Sequence, residues 1–434
     1  MNTKTVSFFL FAAVLLSGCG SDDDGQEPVA EQQEVSVPSD DEKAETRGIG
    51  LTAEQQSAVE RNNDFAFSFF RSTSRTNGLQ QQSFVLSPLS LTYVLGMLNA
   101  GATGQTSAEL TQLLGFGLGE KQAVDELCRK LIEEVPKVDE QVALNIANMV
   151  AVDRSVSLKS PYSQVVSDYY HGTVAALPFG TKEATDYVNG WCSEQTAGQI
   201  SKIVEDLDGR LALLNAVHFK APWSGDFDAG DTRELDFTRE DGTTRQIPVM
   251  HRRDVAYYSS GNGEVPYATL GLPYGNGKNW TMYVLLPYGG TTVSDVVGQL
   301  NMDTWKKVLR QMSVADVRAG QTVDVLLPRF TTSTDLKLNE VLRSMGAQTL
   351  FSPKAEFPLM SDEGGLSIDI VKQKAHIEVT EEGTEASAVT IARLVTVGDS
   401  APSLPTFHAT RPFVYLIQEE TSGAIFFMGV YRGE

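Results

Sequence analysis

Glu381-Glu382-Gly383-Thr384-Glu385-Ala386-Ser387-Ala388-Val389-Thr390-Ile391-Ala392-Arg393-Leu394 is composed like a loop but ordered like a strand. Side chains alternate between two faces along an extended chain. From Thr384 the even positions are Thr384, Ala386, Ala388, Thr390, Ala392 and Leu394, all small or apolar. Both later charges, Glu385 and Arg393, fall on the odd parity. No proline interrupts the stretch before Pro402, so every residue there has an N–H to give to a ladder. Two readings stand at this point: a small-residue loop in solvent, or a segment able to lie in a sheet with one face buried. A loop that never leaves solvent has no reason to sort its charges by parity.

Working outward, the chain before this stretch begins helical and turns to strand. Ala58 to Phe70 carries apolar residues at helical spacing. Ser87-Pro88 predicts a helix start, serine as cap and proline in the first turn, running through Leu98 to a stop at Gly101. Thr106 followed by Glu109 predicts a capping box for the next helix. After Gln141 the apolar runs are short and β-rich: Gln141–Val152, Leu211–Phe219, Thr281–Leu286, Val323–Leu327, Phe413–Ile417 and Ile425–Tyr431. Helices that come mainly first and strands mainly later predict an α+β fold.

The N-terminus reads as an address. Lys4 supplies positive charge, and Val6 to Leu16 is apolar but too short to span a bilayer. Leu16-Ser17-Gly18-Cys19 resembles the bacterial lipobox, which makes residues 1–18 a signal peptide and Cys19 the lipidation site. Residues 19–50 are then the lipidated cysteine and an acidic, flexible tether, nearly free of large apolar residues. Asp22-Asp23-Asp24 resembles surface-export signals of some lipoproteins. Residues 51–434 are read as one domain, extracytoplasmic and lipid-anchored in the outer membrane or on the cell surface, with contact to membrane through the lipid only.

Composition excludes other classes. A net charge of -21 over 434 residues argues against a nucleic-acid partner. Five histidines, at 171, 218, 251, 376 and 408, show no ligand spacing, and neither CxxC nor HExxH occurs, so no metal and no cofactor is expected. Cys128 and Cys192 are read as two buried thiols rather than a disulfide, since a chain this long needs no staple. No GxSxG elbow occurs, and Gly115-Phe116-Gly117-Leu118-Gly119 follows a helix, which suits a connection better than a phosphate cradle. The chain is read as a non-enzyme.

Blocks spread over the domain, in a fixed order, are similar to the serpin family. They are Ser83–Ser90 with Gly101–Thr106, Leu211–Lys220 with Trp223, Val325–Phe330 with Leu342–Gly346, Glu381–Ala388, Arg411–Tyr415 and Ile425–Gly429. The resemblance covers about residues 51–434. It implies a large central β-sheet, smaller barrel-like sheets, surrounding helices and an exposed reactive loop. It also implies irreversible inhibition of a serine protease: the loop is cut, inserts into the central sheet and carries the covalently attached protease away. The alternative within the resemblance is a non-inhibitory binding or chaperone-like surface protein. The loop hinge would be Glu381, Glu382, Gly383, Thr384, Glu385, Ala386, Ser387 and Ala388, with no bulky or proline residue. The residues governing sheet opening would be Ser87, Ser90, Asn215, Gln373 and Trp223. Gln373 stands where many members carry histidine, which puts a histidine-based pH response there in doubt; His376 points to the opposite face.

Family spacing places the cut about seventeen residues from Glu381, at Val397 with Gly398 after it. A valine suits the shallow pocket of elastase-like proteases. Arg393, for a trypsin-like protease, lies four residues early, about 13 Å short along the strand. Insertion of about fourteen residues gains backbone hydrogen bonds worth on the order of 10 kcal/mol before ordering entropy. The uncut state must therefore be held kinetically. The inhibitor is expected to act as a monomer.

Overall fold

The computed structural model describes residues 48–384 and 404–434, apart from 77, 118, 261–264 and 313–320. Cys19 and most of the tether, Glu385 to Ala388, Arg393, Val397 and Gly398 lie outside the described residues. The folded body begins before position 51. Ile49 is buried, and its N–H donates to Thr421 Oγ1 at 2.9 Å, so residues 48–50 belong to the fold and not to the tether.

The first helices are α1 (Ala53–Ser74), α2 (Pro88–Gly101), α3 (Gly104–Leu113) and α4 (Lys121–Glu134). They are followed by α5 (Ser160–Tyr170), α6 (Lys182–Gln195), α7 (Val293–Gln299), α8 (Met302–Met312) and α9 (Asn339–Ser344). Every residue of α2 is buried, as an all-round apolar helix requires. Ser87 caps it, its Oγ accepting the Ser90 N–H. The capping box expected at Thr106 and Glu109 does not form. Helix α3 starts at Gly104, so Thr106 lies inside it. The Thr106 hydroxyl instead accepts the Glu356 N–H, and the Glu109 carboxylate takes the N–H and hydroxyl of Thr349. Both side chains are drawn into tertiary contacts with a distant segment. Cys128 and Cys192 are buried free thiols, as expected.

Among the described residues, six strands form the central sheet: β2 (Ala143–Asp153), β3 (Thr173–Leu177), β4 (Leu211–Pro222), β10 (Phe330–Lys337), β11 (Ile370–Thr380) and β12 (Gly383–Thr384). Their order is β10-β11-β12-β4-β2-β3, with β11 also paired directly to β4. A second, nine-stranded sheet runs β1 (Phe84–Leu86), β15 (Ile425–Tyr431), β14 (Phe413–Glu419), β8 (Trp280–Pro287), β7 (Tyr267–Tyr274), β6 (Thr244–Ser260), β9 (Gln321–Pro328) and β13 (Thr406–His408), with β5 (Arg233–Thr238) on β6. The long β6 links the two parts of this sheet, pairing with β5 and β9 over one part of its length and with β7 over the other.

Strand β4 is buried on both faces. Leu211, Leu213, Val217 and Phe219 enter the main core, while Ala212, Leu214 and Ala216 pack in a second cluster with Val188, Trp191 and Cys192 of α6. A strand covered on both sides reads as a continuous apolar run. Strand β11 alternates instead. Val371, Gln373, Ala375, Ile377 and Val379 are buried, and Lys372, Lys374, His376 and Glu378 lie on the more open face.

Candidate loop-entry site between β4 and β11

Seven residue pairs, Ile370–Ala212 to His376–His218, hold β11 parallel to β4. Beyond them the strands part and β12 lies between. Gly383 and Thr384 run antiparallel to Thr380 and Val379 on one side and to Pro222 and Ala221 on the other. The seam therefore forks, and the hinge occupies the first place in the fork.

The turn into that place is tied at each residue. The Glu381 carbonyl accepts the Phe227 N–H at 2.9 Å, and the Glu382 carbonyl accepts the Trp223 N–H at 3.0 Å. The buried Glu381 carboxylate takes the Thr232 hydroxyl at 2.7 Å and lies 3.6 Å from Arg329. Gly383 has φ +141°, and a Cβ there would stand 2.2 Å from the Ala221 carbonyl oxygen, so only glycine fits. Thr384 is fully buried, its hydroxyl 2.7 Å from the Tyr274 hydroxyl. Trp223 stacks on the Tyr274 ring at 4.3 Å and donates its indole N–H to the Thr380 carbonyl at 3.0 Å.

Six residues down β4 from Ala221, a polar cluster lies beneath the seam. Asn215 Oδ1 accepts from the Ser90 hydroxyl at 2.8 Å and from Gln373 Nε2 at 2.9 Å. Asn215 Nδ2 donates to Asn148 Oδ1 at 2.9 Å. The Gln373 amide also brackets the Ser87 backbone, accepting its N–H at 3.1 Å and donating to its carbonyl at 2.9 Å. Ser87, Ser90, Asn215 and Gln373 are nearly excluded from water, and these contacts use the donors and acceptors that burial would otherwise leave stranded.

The structure thus brings four of the five expected residues together. Trp223 belongs to the fork, eight positions along from Asn215, about 26 Å at strand spacing. Sequence reasoning missed Tyr274, Arg329, Thr232 and Asn148. Arg329 stood inside a quoted block, but nothing in its neighbours indicated a partner some fifty residues away. What the site holds is a two-residue strand, Gly383–Thr384, seated between β11 and β4.

The chain matches the family model of Serpin (serine protease inhibitor) over residues 60–432. It is 34% identical over 357 residues to Serpin-Z7 of Hordeum vulgare, covering 79% of this chain and 88% of that protein. Among solved structures, human thyroxine-binding globulin aligns with TM-score 0.78 at 26% identity, covering 88% of this chain and 100% of that one. Native protease nexin-1 with heparin aligns with TM-score 0.75 at 27% identity, covering 88% and 100%.

Proposed function

We propose, for this chain, which belongs to the serpin family, irreversible inhibition of a serine protease by cleavage and insertion of the loop after Thr384. Protease inhibition in general is the activity that membership supports. The finer reading rests on one observation: Thr384 already lies between Val379 and Ala221, antiparallel to both.

Continuing that register, each further residue takes the next pair of the seam. Glu385 would come between Glu378 and Lys220 on the open face, and Ala386 between Ile377 and Phe219 on the buried one. Thr390 would come between Gln373 and Asn215. The 2.9 Å bond joining those two amides would then be replaced, while Gln373 keeps its hold on Ser87 and Asn215 its hold on Ser90. Arg393 would reach the last pair, Ile370–Ala212, and Val397 would stand four residues past it. Insertion would convert one parallel ladder into two antiparallel ones, a gain in backbone hydrogen bonds against the loss of one bond of the polar cluster.

In the reaction, the protease serine attacks the Val397 carbonyl, Gly398 leaves as a new amine, and the ester to Val397 moves with the inserting strand. An elastase-like protease suits the valine; a trypsin-like one would use Arg393. We place the protein outside the cytoplasm, held by lipid on Cys19 in the outer membrane or on the cell surface, a reading supported by the lipobox-like stretch alone. The inhibitory reading is tested by mixing the protein with elastase- and trypsin-type proteases. An adduct that survives boiling in detergent is expected, and clean turnover without adduct favours the non-inhibitory alternative.

A further inference from the structure

A cleft of about 790 Å³ opens where the end of α1, the turn between β5 and β6, α7 and the end of β15 meet. Four arginines line it: Arg71 and Arg75 at the end of α1, Arg239 from the turn and Arg432 just after β15. Three carboxylates, Glu240, Asp241 and Glu434, line it as well. An excess of arginine in one cleft stands out on a chain of net charge -21. None of these residues belongs to β4, β11 or β12, so the cleft is separate from the loop-entry site.

Each carboxylate already has its own partners. Glu240 accepts the Val293 N–H at 2.9 Å and pairs with Arg432 Nη1. Asp241 accepts the N–H and hydroxyl of Thr243 at 2.8 and 2.6 Å, and Glu434 accepts the Ser83 N–H at 3.1 Å. Among the described residues no carboxylate pairs with Arg71, Arg75 or Arg239 within 4.0 Å. The guanidinium groups, by contrast, are mostly held in place. Arg71 donates to the Leu300 carbonyl and the Ser68 hydroxyl. Arg239 donates from Nε and Nη2 to the Gly433 carbonyl, which leaves its Nη1 for a ligand. Arg432 is 7% exposed, and its Nε has no acceptor. A native fold seldom leaves a buried donor in that state without a reason.

We propose that this cleft binds a small phosphate-bearing anion, whose oxygens accept from Arg75, Arg239 and Arg432. The guanidinium fork matches the oxygens of a phosphate, and several such forks suit a multiply charged group better than a single carboxylate. Arg71 and Arg75 stand one helical turn apart, where like charges repel. Burial first, and then the charge of Arg75, holds the Arg71 guanidinium below its ordinary value, with Asp64 pulling the other way. An anion beside them supplies the counter-charge, and at Arg432 it supplies the acceptor that Nε lacks. The cleft is of the size that small-molecule sites have, so it admits a molecule larger than phosphate itself.

The test is titration calorimetry of the full chain with inorganic pyrophosphate at neutral pH and constant ionic strength, with sulfate as the comparison anion. Saturation at a single site in the sub-millimolar range is expected, tighter than for sulfate. Arg75→Gln and Arg239→Gln should each weaken binding at least about tenfold, the size of one lost charge-assisted hydrogen bond. Arg75 is exposed and its guanidinium has no hydrogen bond among the described residues, so its replacement leaves the fold intact, which an unchanged melting temperature verifies. Lys182→Gln removes a positive charge from α6, outside the cleft, and should leave the affinity as it is. No saturation in the millimolar range would overturn the proposal, as would affinity unchanged in Arg75→Gln and Arg239→Gln. Equal losses in Lys182→Gln, or sulfate bound as tightly as pyrophosphate, would show general charge attraction and overturn it too.

Discussion

Gln373 and Asn215 face each other across the β4–β11 seam, the amide of one donating to that of the other at 2.9 Å, and this single bond joins two polar groups otherwise anchored separately on Ser87 and Ser90. In the proposed insertion the strands separate at this level for the loop to pass. A bond between two amides suits that task, because each partner keeps another hydrogen bond when it breaks. An apolar contact in the same place would tie opening to packing alone.

Gln373→Ala should weaken the closed sheet. The buried Ser87 N–H loses its acceptor, a cost of about 1–3 kcal/mol. The melting temperature of the uncut protein should fall, and on warming the variant should convert more readily to an uncut, higher-melting form. Melting curves before and after incubation check this. An unchanged melting temperature would mean that Gln373 contributes nothing to closure.

Thr384→Arg should turn the inhibitor into a substrate. Thr384 is fully buried between Val379 and Ala221, and a charge there costs several kcal/mol if unpaired. The loop should still be cut, but the protease should be released, so the ratio of adduct to cleaved product should drop at least about tenfold, the factor set by 1.4 kcal/mol. Glu385→Ala, on the other parity, should leave that ratio near wild type. Gel analysis of both variants decides, and an unaltered adduct yield for Thr384→Arg would sink the insertion model.

How much of this could be read beforehand depends on whether the signal was local. The α2 start at Ser87-Pro88 and the apolar runs of β4, β8, β14 and β15 carry their own capping or burial pattern, and the structure has them. Strand β11 alternates strictly, but its apolar signal is weakened by Gln373 on the buried face and small Ala375 beside it. The Thr106–Glu109 pattern does not become a capping box because the same side chains can serve a helix end or a remote backbone, and only the fold selects between them. Asn215 stood out as an amide in an apolar run, but its partner Asn148 and the Tyr274 that meets Thr384 come from strands far away in sequence. Periodicity holds no information about such pairings.

Cys19→Ala should move the protein from the membrane fraction to the soluble one. A single lipid chain already shifts partition measurably, at about 0.8 kcal/mol per buried methylene. Removing residues 20–47 should leave inhibition unchanged, because the folded body is anchored from Ile49 onward. Fractionation and a protease-inhibition assay check the two halves separately. An unaltered distribution for Cys19→Ala would refute the anchor.

Val397→Arg should redirect inhibition from elastase-like to trypsin-like proteases without loss of trapping. The reason is geometric. In the register set by Thr384 the seam ends at Ile370–Ala212, level with position 393, and position 397 lies four residues further on. A protease attached at 397 is therefore carried past the end of the ladder, about 13 Å beyond the point reached from Arg393. Changing the side chain at 397 alters which pocket accepts it and leaves that length untouched. Wild-type protein cut by a trypsin-like enzyme at Arg393 should instead release most of the enzyme, so the variant should gain trypsin adduct where wild type gives cleaved product. Mass spectrometry should find a new N-terminus at Gly398 in the variant. Cutting at either position should also raise the melting temperature, since the freed strand gains ladder bonds. A cut at Val397 with no rise in melting temperature would mean that the loop stays out of the sheet, and the non-inhibitory reading would take its place.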